Sequence, residues 1–157
     1  MSEMTIRRAR SEDVGVLSDV AVRAKKHWGY PEHWIDAWRD ELTVTVGYLR
    51  ENRVYVAELQ GDIVGFYALR DLGSQMELDH LWVDPAHIGH GYGKSMFDHA
   101  VKQAREHGVS EMSIDADPNA AGFYALMGAE HCGAVAASMD GIARERPQFR
   151  IRISHAT

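Results

Sequence analysis

The sequence predicts a mixed α/β domain built around a largely central sheet. Three observations predict it. The middle of the chain is β-rich, with RVYVAEL and IVGFYAL on either side of Gln60-Gly61-Asp62, a hairpin signal. Amphipathic helical stretches lie before and after it, and the tail alternates Phe149, Ile151 and Ile153 at the period of a strand. In chain order the elements read β-α-α-β-β-β-α-β-α-β-β.

The first strand covers residues 5–8. Ser11 then caps a helix whose first turn holds Glu12 and Asp13, at the positive end of the helix dipole. Val14, Leu17, Ala21, Ala24 and Trp28 follow at heptad-like spacing as one buried stripe, and Gly29 ends the helix. Pro31 suits the first turn of a second helix with Trp34 and Trp38 on one face, and a short helical piece over 46–50 follows. Strands at 53–59 and 63–69 form the hairpin, and a third, 75–83, ends at Asp84-Pro85, where proline cannot extend a ladder.

A glycine-dense turn comes next, His87-Ile88-Gly89-His90-Gly91-Tyr92-Gly93-Lys94. The helix leaving it carries Met96, Phe97, Ala100, Val101 and Ala104 on one face and Asp98, Lys102, Gln103 and Glu106 on the other; Gly108 stops it. Residues 111–115 are a strand, and Asp117-Pro118 opens a helix that runs through Met127 to Gly128. Two strands close the chain, over 131–139 and 148–153. The segment between them offers Arg144 and Arg146 to a substrate carboxylate or to solvent.

At 157 residues the chain has the size of one domain, and 45% hydrophobic with 25% charged residues is an ordinary globular balance. Disorder, collagen and coiled coil are excluded as overall descriptions. The 17 Lys+Arg against 23 Asp+Glu, a net charge of −6, argue against nucleic acid as partner, since neutralising phosphates needs a cationic face. The single cysteine, Cys132, excludes an internal disulfide and a Cys-rich zinc site. No apolar run approaches the roughly 18 residues of a membrane span, and the opening MSEMTIRRARSEDVG has no apolar leader core. A soluble, cytoplasmic, single domain over 1–157 is expected, without a membrane partner; a homodimer stays open.

Strand, glycine turn and helix N-terminus together make an anion site: several backbone N–H groups converge and the helix dipole adds positive charge. Glycines let a phosphate approach the backbone without Cβ atoms in the way. Counting decides against two familiar versions. A P-loop needs glycine where Ile88 stands ahead of Gly93-Lys94-Ser95, and a dinucleotide fingerprint starting at Gly89 and Gly91 needs glycine where Lys94 stands.

What fits is x-x-G-x-G ending at Gly93 after Leu-Trp-Val-Asp-Pro. This stretch, LDHLWVDPAHIGHGYGKSMFDHAVKQA, resembles motif A of the GNAT superfamily of acetyl-CoA-dependent N-acetyltransferases. DPNAAGFYALMGAE resembles that family's motif B. One departure stands out: relatives usually carry Arg or Gln where this chain has Ile88, and His87, His90 or Lys94 are the side chains available to replace part of that contact.

The resemblance implies a central, mixed, mostly antiparallel sheet flanked by helices, with acetyl-CoA as cosubstrate and no metal. It implies that the backbone of Leu81, Trp82 and Val83 binds the pantetheine arm and acetyl group. The loop of Ile88, Gly89, His90, Gly91, Tyr92, Gly93 and Lys94 would take the pyrophosphate. Asn119 would touch the pantetheine region, and Tyr124 would sit near the sulfur as general acid or simply pack beside Phe123.

Acetyl transfer needs a neutral amine, a donor for the carbonyl oxygen and a proton for the departing thiolate. Glu77 and Asp79 share a strand face with Leu81 and Val83, so Glu77 is the first candidate base and Asp79 the second, through a water. The alternative is that both sit at the solvated start of the strand. His80, on the other face beside Trp82, reads as structural. The acceptor site is expected from the first two helices and the final strands, with Trp28 and Tyr30 as candidate substrate contacts and Trp34 and Trp38 as packing. The acceptor is a small-molecule amine, with a peptide or protein amine as the other option. Cys132 has no His or Asp partner by spacing, which disfavours a covalent acetyl-enzyme. His87 and His90 lack a third ligand for a metal. A non-catalytic acyl-CoA-binding domain of the same fold is the alternative function.

Overall fold

The computed structural model describes residues 3–155, and the chain divides into two compact units. The first holds the residues to Leu69 together with His80–Met96; the second holds Arg70–Asp79 and the residues from Phe97 onward. Among the described residues there are seven strands in a mostly antiparallel arrangement with helices beside them. None of the helices is long and apolar enough to cross a membrane.

The first unit begins with β1, Thr5–Arg8, antiparallel to β2, Arg53–Leu59, which pairs with β3, Asp62–Asp71. The β2–β3 turn falls at Gln60 and Gly61, with φ of 53° and 84°, the primed geometry that the twist of a two-residue hairpin favours. Helices α1, Val14–His27, α2, Glu32–Leu42, and α3, Val46–Glu51, lie between β1 and β2 in sequence. Leu17, Val20 and Ala21 of α1 pack with Leu42, Val44, Val54, Val56, Phe66 and Ala68 in one apolar cluster.

Two details differ from the sequence reading here. Ser11 does not cap the first helix: a 3-10 turn, Ser11–Asp13, precedes it, and the Asp13 carboxylate accepts from the Arg10 amide at 2.7 Å. Asp13 is held there by Arg7, whose guanidinium donates to it at 2.8 Å and to Glu58 of β2 at 2.8 Å. That bond holds the Asp13 carboxyl below its usual range against the opposing effect of burial. The second difference is Trp28, which is 41% exposed, while Val20 joins the buried stripe. Trp28 is the C-cap residue of α1, one position beyond its last turn, and the buried stripe ends at Ala24.

The end of β3 and the start of β4, Met76–Val83, belong to the second unit. There β4 runs parallel to β5, Glu111–Asp115, over only three register pairs, from Met76↔Met112 to Leu78↔Ile114. β5 continues antiparallel to β7, Glu145–Arg152, which pairs with β6, Glu130–Ala136. Helix α4, Tyr92–Glu106, starts in the first unit and extends into the second, and α5, Ala121–Leu126, follows a 3-10 turn at Pro118–Ala120. Alternation explains the strands: Met76, Leu78, Met112, Ile114 and Phe149 are buried, and Glu77, Ser113 and Gln148 occupy the other face.

The last two strands depart from their expected bounds. β7 starts at Glu145, so Arg146 is not a loop residue; it donates to Asp115 of β5 at 2.9 Å. Pro147 lies inside β7, where its missing N–H is tolerated and its carbonyl accepts from the Ala116 amide at 3.0 Å. β6 ends at Ala136, and Met139 makes an isolated bridge to Ile142.

Gly65 of β3 is fixed by contact. A Cβ there would lie 2.5 Å from the Trp82 carbonyl oxygen and 2.8 Å from the Met96 Cε. The methionine can move, but the backbone oxygen of β4 cannot without shifting the strand. Gly65→Ala is predicted to lower stability to urea by about 1–3 kcal/mol. Gly15→Ala, on α1 with nothing within 4 Å of the added carbon, is predicted to raise it by about 0.5–1 kcal/mol.

Candidate functional site

The first unit carries the glycine loop. β4 ends at Val83, and Asp84 turns the chain. Its amide donates to the Val64 carbonyl at 2.8 Å; Val64 is the residue passed over where the β2–β3 register shifts between Ala57 and Glu58. The Asp84 carboxylate accepts from Arg23 of α1 at 2.6 Å with one oxygen and from the Ala86 amide at 3.2 Å with the other. Burial works to make this carboxyl a weaker acid, but the bonds from Arg23 and Ala86 outweigh it and hold the group below its ordinary range. A 3-10 turn, Pro85–His87, leads from there into the glycines.

Gly89 and Gly91 have φ of 91° and 79°, values a side chain rarely tolerates, and nothing lies within 4 Å of where a Cβ would stand. The loop backbone therefore faces open space. Gly91 starts α4 by accepting from the Ser95 amide at 3.1 Å and from its hydroxyl at 3.2 Å. The first amides of a helix have no carbonyl within it, so those of Tyr92, Gly93 and Lys94 sit at the positive end of a 15-residue helix. Ile88 is 51% exposed, and Gly89, His90 and Lys94 are exposed beside it. The Tyr92 ring has His90 at 5.7 Å and His87 at 6.4 Å, so the two imidazoles flank the loop. These features suit a phosphorylated group.

Leu81, Trp82 and Val83 precede this loop and are half-buried. The Trp82 indole donates to His80 Nδ1 at 2.9 Å, which makes that nitrogen the acceptor and leaves the ring proton on Nε2. His80 also lies among the rings of Phe66 and Tyr48, in keeping with a structural role. The two candidate substrate contacts of this unit differ. Trp28 is exposed, whereas Tyr30 packs against Trp34 at 5.8 Å and Trp38 at 4.9 Å. The Lys25 ammonium stands over Trp38 at 4.3 Å and Tyr30 at 5.2 Å, so a cation of the protein itself already uses these ring faces.

The second unit holds the candidate acid and base. Glu77 is half-buried and Asp79 is exposed. Glu77 is not at a frayed strand start: it pairs with Ser113 in the parallel ladder and accepts from Arg70 at 3.1 Å. Burial raises the Glu77 carboxyl above its usual range, the Asp79 charge adds to that, and Arg70 opposes both. Tyr124 of α5 is buried among Phe123, Phe149 and Phe97, at 5.3, 6.0 and 6.1 Å. Burial, with the charge of Asp117 second, pushes its phenol up, so it keeps its proton at neutral pH. Asn119 is exposed, and its amide and side-chain nitrogens both donate to Asp117, at 2.8 and 3.0 Å.

Three functional candidates escape the sequence reading: Arg70, Arg23 and Asp117. Arg70 has a readable signal. The Leu72 amide bonds the Gln75 carbonyl at 2.9 Å, a tight turn around Gly73, and that register sets residue 70 opposite residue 77. Arg23 has none, because its partner is 61 residues away. Among the described residues, no group of three or more His, Cys, Asp or Glu is placed to hold a metal ion.

The model of the Acetyltransferase (GNAT) family matches residues 8–129. No curated protein matches the chain in sequence. Solved structures do. A GCN5-related N-acetyltransferase from Rhodopseudomonas palustris is 25% identical, with 97% of each chain covered and a TM-score of 0.79. The PaiA N-acetyltransferase from Thermoplasma acidophilum, in complex with coenzyme A, is 22% identical with a TM-score of 0.73, covering 96% of this chain and 99% of that one. YncA from Salmonella typhimurium, with its cofactor acetyl-CoA, is 20% identical with a TM-score of 0.72, covering 99% and 97%.

Asp84→Ala is predicted to speed hydrogen exchange at the Ala86 amide about five- to tenfold, the effect of losing one partly shielded bond. Unchanged exchange there would show that the turn holds itself without the carboxylate.

Proposed function

The chain belongs to the acetyltransferase (GNAT) family, and on that premise we propose that it moves an acetyl group from acetyl-CoA to a primary amine by direct attack, with both substrates bound at once. The observation that carries this reading is the glycine loop between β4 and α4, which lies inside the family match and has its backbone open to an anion. Its residues fit a diphosphate by chemistry: main-chain donors, a helix N-terminus and two flanking imidazoles. In this reading Ile88, Gly89, His90, Gly91, Tyr92, Gly93 and Lys94 hold the pyrophosphate, with the imidazoles standing in for the polar side chain that Ile88 lacks. The main chain of Leu81, Trp82 and Val83, beyond the last β4–β5 pair, holds the pantetheine arm, with Asn119 as a further contact. The whole of 1–157 works as one domain, and the family match supports this by crossing both compact units.

Acetyl-CoA supplies the acetyl group as a thioester. Glu77, or Asp79 through a water, takes one proton from the ammonium of the acceptor so that its nitrogen lone pair can attack the carbonyl carbon. A main-chain N–H near the end of β4 meets the negative charge that develops on the carbonyl oxygen. The carbon–nitrogen bond forms and the carbon–sulfur bond breaks. The Tyr124 hydroxyl gives its proton to the sulfur and is reprotonated by the second proton that the nitrogen sheds, while the first leaves from the carboxylate to solvent. Burial keeps the Tyr124 phenol protonated until the thiolate forms beside it, and burial with the Asp79 charge raises the Glu77 carboxyl above its usual range, which favours uptake of a proton. The proposed acceptor is a small cationic amine, with peptide or protein amines next in line, and the site of action is the cytoplasm.

Release of free coenzyme A from acetyl-CoA across a panel of amines tests this. Tyr124→Phe and Glu77→Gln are each predicted to lower kcat about 10²–10³-fold, with the Kd for coenzyme A changed less than about threefold. Full turnover in Tyr124→Phe would remove its role as acid. Coenzyme A binding without turnover on any amine would make the chain an acyl-CoA-binding domain instead.

A further inference from the structure

Arg70 belongs to no part of the chemistry described so far, yet among the described residues it is the cation bonded to the candidate base. Its Nη1 lies 3.1 Å from Glu77 Oε1, across the turn that joins β3 to β4. The two side chains are unequally exposed, 48% for Arg70 and 22% for Glu77, so the guanidinium leans in from solvent onto a carboxylate that is mostly covered. Asp71 next to it is tied down separately: it accepts from the Gly73 amide at 2.9 Å and sits 3.0 Å from His107 Nε2 at the end of α4. The turn that presents Arg70 is thus held from both sides.

The charges facing Glu77 within this unit come from three strands. Arg70 stands on β3, Asp79 on β4 itself, and Asp115 on β5, where Arg146 of β7 neutralises it at 2.9 Å. Of these only Arg70 favours the ionised form of Glu77; both aspartates oppose it. A base that must accept a proton has to be ionised when the acceptor arrives, and it has to point one oxygen at the reacting nitrogen. A single guanidinium bond to Oε1 leaves Oε2 to do so.

We infer that Arg70 is a positioning residue for acetyl transfer, one that acts through Glu77 by holding its carboxylate in the ionised form. This rests on the reading of Glu77 as the base. Removing the positive charge destabilises the carboxylate form, so the pH at which Glu77 becomes competent rises. The acidic limb of the rate profile then moves to higher pH, and the plateau above it stays where it was.

The experiment is the pH dependence of kcat for the wild type, Arg70→Gln, Arg70→Lys and Glu77→Gln, with one amine acceptor throughout. Ionisation of the acceptor is common to all four, so only differences between them report on the enzyme. Arg70→Gln is expected to displace the acidic limb upward by about half a unit to one unit, with a plateau within about twofold of wild type. Arg70→Lys keeps the charge and is expected to restore the limb, while Glu77→Gln loses the limb together with most of the rate. A limb that stays in place in Arg70→Gln while Glu77→Gln abolishes it overturns the role of Arg70 and leaves Glu77 as base. A Glu77→Gln profile that matches wild type overturns the base assignment and this inference with it. Because Arg70 is half in solvent, loss of fold is not expected; an unchanged thermal midpoint in Arg70→Gln verifies it.

Discussion

The Asp84 carboxylate, with Arg23 on one oxygen and the Ala86 amide on the other, decides where β4 stops being a strand and the glycine loop begins. Its own amide is drawn to Val64, a carbonyl that the register shift between β2 and β3 sets outside their ladder. Gly65, next along, gives β4 room to pass with the Trp82 carbonyl close above it. The bulge, the missing side chain and the carboxylate are three local events on one short stretch. They lie just ahead of the loop in which Gly89 and Gly91 take positive φ with open space beside them, and which ends in the first turn of α4.

The second unit solves a different problem. Its strands bury Met76, Leu78, Met112 and Ile114 on one face, so Glu77 stands on the other, and Asp79 and Asp115 lie close enough to raise its carboxyl. Left alone, like charges so close would hold a proton at the wrong moment. Arginines offset them, Arg70 at Glu77 and Arg146 at Asp115. The chain as a whole carries a net charge of −6, but local pairing acts on the ionisation of Glu77, the base of the proposed mechanism.

Local patterns are legible in the sequence. The hairpin at Gln60-Gly61, the strand at 111–115, the strand ending at Asp84-Pro85 and the face of α4 all carry their signal within a few residues, and the structure has them where the pattern puts them. The glycine loop is legible for the same reason, since positive φ at Gly89 and Gly91 is a demand that only glycine meets easily. Ser11 misleads because the first turn starts one residue earlier than a Ser11 cap requires: Arg10 takes the cap position and the Asp13 carboxylate, anchored by Arg7, reaches back to its amide. Arg146 misleads because the clean alternation of Phe149, Ile151 and Ile153 marks only the later part of a strand that starts at Glu145. The pairs that tune the site, Arg23–Asp84 above all, span too much sequence for any periodicity to reveal.

In the proposed reaction the loop after β4 binds the diphosphate of coenzyme A. The heat-unfolding midpoint of the wild-type protein, measured with no ligand, with coenzyme A and with ATP at equal concentration, tests it most directly. At about 100 times Kd, coenzyme A adds about 2.7 kcal/mol, which for a domain of this size raises the midpoint by several degrees. That rise is expected with coenzyme A and none with ATP. Stabilisation by ATP without stabilisation by coenzyme A would contradict it.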